Sequence, residues 1–414
     1  MATAADVGAA GRAALSYSDF RAYLAARFCI VIALEMQSVA VGWQVYEITR
    51  RPLDLGLIGL AQFLPGFFLF LPAGHIVDRY DRRKVLLSCY AGCAVCAGLL
   101  VTISLFRLGS VYPIYLVVVL LGAIRAFSFP ASRALLPQLV PQEHFSNAVA
   151  WHSSFFQAGT ILGPACGGLL YAFFRGAAGV YAVAMAVAIG AALATLRIKA
   201  QGQPRSREPI SLVTLLAGLR YIWQHRLILG SISLDLFAVL LGGAVALLPV
   251  YAREILHTGP WGLGLLRSAP GVGAGTMAIL QAHRPLKSRA GPTMLWCVAG
   301  FGVFTIVFGI SRNLALSLIS LLLVGASDMV SVVIRAILVQ VGTPDEMRGR
   351  VNAVDMLFIG ASNQLGEFES GLTAHWFGTV PAVILGGAGT LVVIAIWAWK
   401  FPELRRANAP GGGS

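Results

Sequence analysis

Twelve apolar stretches, each about as long as a membrane-spanning helix, follow one another along this chain. A bilayer core about 30 Å thick needs roughly 20 apolar residues per helix, and 57% of the 414 residues are hydrophobic while 12% are charged. That composition does not fit a soluble core, a disordered chain, a collagen repeat or a secreted disulfide scaffold. The sequence therefore predicts an all-α polytopic membrane protein with twelve transmembrane helices. We place them at residues 20–46, 53–77, 84–106, 111–136, 146–174, 178–196, 227–251, 261–282, 292–310, 313–340, 351–377 and 379–399.

Basic residues outnumber acidic ones, with 31 Lys plus Arg against 18 Asp plus Glu, a balance that in a soluble protein would suggest nucleic-acid binding. Their placement indicates membrane topology instead, because alternating loops hold most of them. One side of the membrane holds only Arg50, Arg51, Arg107, Arg175, Arg253 and Arg312. By the positive-inside rule, both termini and the more basic loops are cytoplasmic. We expect a multi-pass protein of a bacterial inner (plasma) membrane that has no nucleic-acid partner.

Landmarks in the first half of the chain recur 205 residues later: Val45-Tyr46 as Val250-Tyr251, and Pro65-Gly66 as Pro270-Gly271. Two six-helix repeats with substrate bound between them are typical of secondary transporters. Part of the connector between the halves is either an amphipathic helix at the headgroups or a solvated tether. The predicted parts are a cytoplasmic N-terminal segment (1–19), an N-terminal half (20–196), a cytoplasmic connector (197–226), a C-terminal half (227–400) and a cytoplasmic tail (401–414) that ends in a linker-like Gly-Gly-Gly-Ser.

The loop between the second and third predicted helices has the pattern G-x-x-x-D-R-x-x-R-R/K, which resembles the signature loop of the major facilitator superfamily. A glycine there lets neighbouring helices approach closely, and an aspartate at a helix end can pair with arginine or accept hydrogen bonds from a helix N-terminus. The resemblance implies a cytoplasmic gate whose ion pairs break during transport; plain topology anchors are the alternative. The gating residues would be Gly74, Asp78, Arg79, Arg82 and Arg83.

The fifth predicted helix contains G-x-x-x-G-P-x-x-G-G, which is similar to the antiporter motif of drug and proton exchangers in that superfamily. Small residues four apart form a flat face for close helix contact, and a proline bends the helix. The resemblance implies export, although ordinary glycine enrichment in membrane helices would give part of the pattern. The motif residues are Gly159, Gly163, Pro164, Gly167 and Gly168.

The fourth predicted helix places Arg125 where a family motif has an intramembrane arginine tied to proton movement. An arginine within the bilayer costs about 2.5–3.5 kcal/mol on insertion scales, so it should face the bundle interior or a wet cavity, or else extend to the interface. Arg27, Arg267 and Arg335 also fall within predicted helices. Further similarity at residues 127–168 and 347–406 resembles the drug/proton antiporter-like branch that includes the enterobactin exporter and macrolide-efflux-like proteins.

Several acids lie among apolar neighbours inside predicted helices and are candidates for proton coupling and for lining the cavity. Burial raises the pKa of a carboxyl group and a nearby arginine lowers it, so an acid that changes surroundings can bind and release a proton. Static structural roles are the alternative: a hydrogen bond from Asp235 to Ser231, a structural partner for Glu35, or an interhelical hydrogen bond for Glu367. Of the neighbouring acids Glu367 and Glu369, we prefer Glu367 as the candidate for proton coupling. The candidates are Glu35, Asp235, Asp328 and Glu367, together with Arg125.

The sequence contains neither G-x-G-x-x-G nor a Walker loop, and we expect no enzyme activity, cofactor or metal site. An ion gradient or the gradient of the cargo must then supply the energy. We expect a monomeric exporter that exchanges protons for a small amphipathic molecule, drug-like or siderophore-like, by alternating access. A uniporter or importer of the same fold is one alternative, and a membrane receptor or scaffold that does not transport is another.

Overall fold

The computed structural model describes residues 13–106, 109–199, 212–284 and 289–408, and every regular element in these ranges is helical. Parts of the predicted terminal segments and of the connector, at 1–12, 200–211 and 409–414, lie outside the described residues. The long helices are α1 Ser18–Thr49, α2 Pro52–Arg79, α3 Arg82–Leu105, α4 Tyr112–Leu135, α5 Phe145–Phe174, α6 Ala177–Leu196, α7 Leu212–Gln224, α8 Arg226–Gly242, α9 Gly259–His283, α10 Ala290–Ile310, α11 Leu314–Gly342, α12 Asp345–Phe377 and α13 Thr379–Lys400, followed by the short α14 Pro402–Arg406.

The predicted membrane helices are present with small shifts at their ends. Among the described residues, ten helical segments are long and apolar enough to cross a membrane. The other two predicted spans are α5 and α12, which have 30 and 33 residues and are long enough to cross a membrane but less apolar than these ten segments require. Polar residues in long membrane helices are expected where a helix contacts other helices or water rather than lipid. The fold is that of a polytopic helical membrane protein.

The chain divides into two compact units that do not coincide with the two sequence halves. One unit contains residues 1–41 and 64–209, and the other contains residues 42–63 and 210–414. In the first unit, α3 packs against α4 and α6. In the second, α11 packs between α9 and α10, and α8 contacts both α12 and α13. The C-terminal end of α1 and the first half of α2 thus belong to the second unit.

The predicted seventh span is interrupted. Helix α8 ends at Gly242, and short turns including a π-helical turn at Tyr251–Ile255 continue the span to residue 255. A broken helix leaves backbone groups without intrahelical partners, which is costly within a membrane. Here Ser370 of α12 donates a hydrogen bond of 2.5 Å to the carbonyl oxygen of Gly243. The break is therefore held by a neighbouring helix.

The connector contains a docked helix, α7, rather than a solvated tether. Ile222 is fully buried and packs with Val339, Val351 and Val354, and the hydroxyl of Tyr221 donates to the carbonyl of Gly342 over 3.0 Å. The opposite face of α7 exposes Val213, Leu216 and Trp223. One face thus packs on the second unit, and the other has the apolar character of an interfacial helix.

Candidate functional site

A buried ion cluster lies in the second unit, where α8, α11 and α12 meet. The guanidinium Nη1 of Arg335 lies 2.7 Å from Oδ2 of Asp235 and 3.4 Å from Oδ1 of Asp355. The side chains of Arg335 and Asp235 are 4% and 6% exposed, and that of Asp355 is 19% exposed. One cation on α11 therefore connects carboxylates on two other helices.

Apolar side chains surround this cluster. Leu234 and Ala238 flank Asp235, while Ile334 adjoins Arg335 and packs in the same core as Val298. Removing one member of a buried ion pair leaves an uncompensated charge, which typically costs about 3–5 kcal/mol. The three charges therefore depend on one another, and any change of charge in one must be balanced by the others.

Asp328 adds a third carboxylate beside the cluster. It interacts electrostatically with both Asp235 and Arg335. Asp235, Asp328 and Ser331 line a small pocket of about 10 Å³, roughly the room that the centre of one water molecule requires. The hydroxyl of Ser331 is buried and has no hydrogen-bond partner among the described residues. The pocket thus offers polar groups for one water next to the ion cluster.

The sequence singled out Asp235 and Asp328 as candidates, and the structure places both beside Arg335. Asp235 does not bond to Ser231, whose hydroxyl donates to the carbonyl of Ile228 instead. Arg335 had no predicted partner, and Asp355 was missed because it lies in the polar first part of α12, where an acid is unremarkable. The one available signal was that an arginine within a membrane helix needs a negative partner.

The antiporter-like motif forms a close seam with α1 in the first unit. A Cβ atom built on Gly163 would lie 2.5 Å from Cβ of Glu35, and one on Gly167 would lie 2.8 Å from Cα of Met36. A Cβ on Gly159 would lie 2.7 Å from Cγ1 of Val31. These glycines are buried, as are Pro164 and Gly168. The predicted flat face is thus present, and Glu35 lies at its centre.

Glu367 lies in a second close seam, between α12 and the start of α2. A Cβ on Gly59 would lie 2.8 Å from Cβ of Glu367, and one on Gly371 would lie 2.6 Å from Cα of Gly56. Glu369 instead accepts a hydrogen bond from Thr373, one turn away, over 2.6 Å. The two glutamates therefore have different surroundings, with Glu367 at a helix contact and Glu369 bonded within its own helix.

The signature loop joins α2 to α3. Asp81 caps α3 by accepting a hydrogen bond from the backbone of Arg83 over 2.9 Å. Arg82 is buried and donates to the carbonyl of Ala134 at the end of α4 over 3.2 Å, and Arg83 donates to that of Leu196 at the end of α6 over 2.6 Å. Cations at helix C-termini are favourable because of the helix dipole. These two arginines thus bind helix ends through backbone carbonyls.

The remaining predicted residues of this region are more accessible. Gly74 and Asp78 are half-buried in the last turns of α2, where Arg79 is exposed at the final residue. Arg125 is exposed on α4. An arginine at mid-membrane depth on an exposed face is compatible with water but not with lipid.

The C-terminal end of α1 forms reciprocal ion pairs with the π-helical turn that ends the seventh span. Glu47 lies 3.6 Å from Arg253, and Arg50 lies 3.9 Å from Glu254. Tyr46 donates to Glu254 over 2.5 Å. Trp43 is 5% exposed and lies beneath Arg253 with 5.4 Å between ring centre and guanidinium carbon. We call these residues the reciprocal clasp.

Long apolar helices, one of them broken, pack here as in a polytopic helical membrane protein. The sequence model of the transmembrane secretion effector family matches residues 9–410. The chain belongs to that family, within the major facilitator superfamily.

Curated relatives cover nearly the whole chain. A protein of Citrobacter koseri named enterobactin exporter EntS is 28% identical over 398 residues, covering 95% of this chain and 94% of the relative. Proteins of the same name from Shigella boydii and Escherichia coli are 27% identical and cover 94% of both chains.

Solved structures share the fold. A crystal structure of the nucleoside transporter NupG aligns with a TM-score of 0.75 at 11% identity, covering 92% of this chain and all of that one. A bacterial homologue of the human lysosomal transporter Spinster aligns with a TM-score of 0.73 at 12% identity, covering 94% of this chain and 98% of that one. At these identities the likeness concerns the fold alone.

Proposed function

We propose that this protein is a secondary exporter that exchanges protons for a small amphipathic, siderophore-like molecule by alternating access. The cargo class is supported by the relatives named as enterobactin exporters, which match over nearly the entire chain. The glycine seam between α1 and α5 supports export, because it has the form of the antiporter motif. The protein would lie in a bacterial inner membrane as a monomer with both termini in the cytoplasm.

The buried cluster around Arg335 is the single observation that carries proton coupling. One guanidinium faces Asp235, Asp355 and the nearby Asp328, so its positive charge cannot neutralise all three acids. A proton bound to Asp235 would weaken its ion pair with Arg335, and the guanidinium would then pair with Asp355 instead. Because the three acids lie on α8, α11 and α12, such a change in pairing would alter the contacts among these helices. Proton binding would thereby be linked to a change in conformation.

Glu35 and Glu367 are secondary candidates for the proton. Each lies at a close helix seam, where a movement of one helix would change its surroundings. Gly74, Asp78 and the arginines of the signature loop would form the cytoplasmic gate, with Arg82 and Arg83 exchanging their carbonyl partners during the cycle. Arg125, on the exposed face of α4, would line the aqueous cavity.

Transport in inside-out vesicles tests this proposal. Vesicles with the wild-type protein and an acidic lumen should accumulate enterobactin, and collapse of the pH gradient should abolish accumulation. Asp235→Asn, Asp328→Asn and Asp355→Asn should each reduce accumulation at least tenfold. Glu403→Gln is the matched control, since Glu403 forms a surface pair with Arg226 at 3.5 Å. Gradient-independent uptake by the wild type would favour a uniporter and contradict the proposal.

A further inference from the structure

Another buried arginine, Arg27, lies in the first unit on α1, and unlike Arg335 it forms no ion pair with an acid in the part of the chain that the structure describes. Arg27 is 8% exposed and its Nε atom has no hydrogen-bond partner. The neutral hydroxyl of Tyr90 lies beside its side chain, and none of the ion pairs among the described residues includes Arg27. A buried charge in a membrane protein normally has a partner or marks a binding site. The missing negative charge must therefore come from elsewhere.

Other basic groups surround Arg27. Arg133 of α4 and His152 of α5 both interact with it electrostatically. The hydroxyl of Tyr23 lies 2.7 Å from Oγ of Ser132 and 3.3 Å from Nδ1 of His152, which fixes the imidazole beside the arginine. Two guanidinium groups, those of Arg27 and Arg133, thus lie near each other where α1 and α4 meet, with the imidazole of His152 beside them.

Aromatic rings lie over these cations and reach the surface. The guanidinium carbon of Arg27 is 5.6 Å from the ring centre of Phe156, and that of Arg133 is 4.6 Å from the ring centre of Phe129. The two phenylalanines are 39% and 43% exposed. Each ring is therefore partly accessible while a cation lies over it.

The position of this surface on α4 indicates contact with water. Arg125, Phe129 and Arg133 are spaced by four residues, so they share one helical face, and all three are exposed. Arg125 lies ten residues before the end of α4, which is about 15 Å along the helix. Lipid at that depth would oppose an exposed arginine, so the face meets an aqueous space that a solute can enter.

We infer that Arg27, Arg133, Phe129 and Phe156 form a binding site for an anionic aromatic molecule, of the catecholate or aryl-carboxylate kind. The arginines would supply charge-assisted hydrogen bonds to the anion, and the phenylalanines would stack on its ring. Cationic aromatic molecules would be repelled. This inference rests on the proposed function, since it names the chemical class of the cargo, and places its recognition in the first unit, apart from the ion cluster around Arg335.

Three probes separate charge from aromatic character. We would titrate the purified full-length protein in detergent with 2,3-dihydroxybenzoate, dopamine and cyclohexanecarboxylate, and measure heat by calorimetry. The first should bind most tightly, because it is both anionic and aromatic. The second is a catechol with a positive charge and should bind at least tenfold more weakly. Cyclohexanecarboxylate, an anion without an aromatic ring, should fall between them. Equal affinity for dopamine and 2,3-dihydroxybenzoate would overturn the inference without any mutation.

Variants locate the site. Arg27→Gln and Arg133→Gln should each weaken 2,3-dihydroxybenzoate binding about tenfold or more, because each removes a charge-assisted contact. Phe129→Leu leaves both arginines in place and is the test to use if an arginine variant fails to fold. It should weaken the binding of 2,3-dihydroxybenzoate more than the binding of cyclohexanecarboxylate. Arg226→Gln, at a surface pair in the second unit, is the control and should bind as the wild type does.

Failure of this inference can be told from failure of the proposed function. Wild-type binding by both Arg27→Gln and Arg133→Gln, with enterobactin export intact, would overturn the site but leave proton-coupled export standing. Arginine-dependent binding without any export in vesicles would support the site and contradict the proposed function.

Discussion

Arg335 and Asp235 form a buried ion pair with 2.7 Å between guanidinium nitrogen and carboxylate oxygen, and Asp355 lies 3.4 Å from the same nitrogen. The pair joins α11 to α8 in an apolar environment, where neither charge could be stable alone. The second acid gives Arg335 an alternative partner on α12. A cation with two partners on different helices is suited to change its pairing when one acid binds a proton.

Loss of Arg335 should destabilise the protein strongly. Arg335→Gln leaves Asp235 and Asp355 buried without their cation, which should cost about 3–5 kcal/mol and lower the midpoint of thermal unfolding in detergent. The double variant Arg335→Gln with Asp235→Asn removes opposite charges together and should recover part of the loss. Additive effects of the two changes would show that the pair is not energetically coupled.

Gly163→Ala should disrupt the seam between α1 and α5. The added Cβ would lie 2.5 Å from Cβ of Glu35, so one helix must move, at a cost of about 1–3 kcal/mol. We expect transport to fall at least tenfold in vesicles that contain equal amounts of protein. Gly190→Ala on α6 is the control, since no atom lies within 4 Å of a Cβ at that position, and it should transport normally. Full activity of Gly163→Ala would rule out a functional role for the seam.

The reciprocal clasp should respond to charge reversal more than to neutralisation. Its groups are between 24% and 53% exposed, so each pair contributes only about 0–1 kcal/mol. Glu47→Gln should therefore have little effect on transport, whereas Glu47→Arg places two cations together beside Trp43 and should slow it. Adding Arg253→Glu to Glu47→Arg restores an opposite pair and should recover the rate. No recovery in the double variant would mean that the pairing itself is unimportant.

The docked face of α7 should contribute to stability and its exposed face should not. Ile222 is fully buried against α11 and α12, and truncation of such a side chain costs about 2–5 kcal/mol. Ile222→Ala should lower the midpoint of thermal unfolding clearly, and Leu216→Ala, on the face that is 62% exposed, should leave it nearly unchanged. Equal effects of the two substitutions would contradict the docking of α7.

The sequence predicted the helices well because apolar length is a local property. Each predicted span overlaps a helix of the structure, and the break after Gly242 could have been suspected from Gly242, Gly243 and Pro249. The glycine seam was also readable, since small residues four apart must face a neighbour.

The pairing of side chains on different helices could not be predicted from the sequence in the same way. Arg335, Asp235 and Asp355 are separated by up to 120 residues in the sequence, and helix rotation decides which of them meet. The burial of Trp43 under Arg253 likewise depends on a segment about 200 residues away. The sequence placed Arg27 within a predicted helix, but the basic side chains near it belong to α4 and α5, and their proximity depends on how these helices pack.

Coupled proton movement is the most direct test of the account. Enterobactin would be added to inside-out vesicles with an acidic lumen, and lumenal pH would be followed with a trapped dye. The account predicts proton release from the lumen on addition of enterobactin by the wild type and by Glu403→Gln, and no release by Asp235→Asn or Asp355→Asn. Enterobactin uptake without proton release by the wild type, or unchanged release by both aspartate variants, would contradict it.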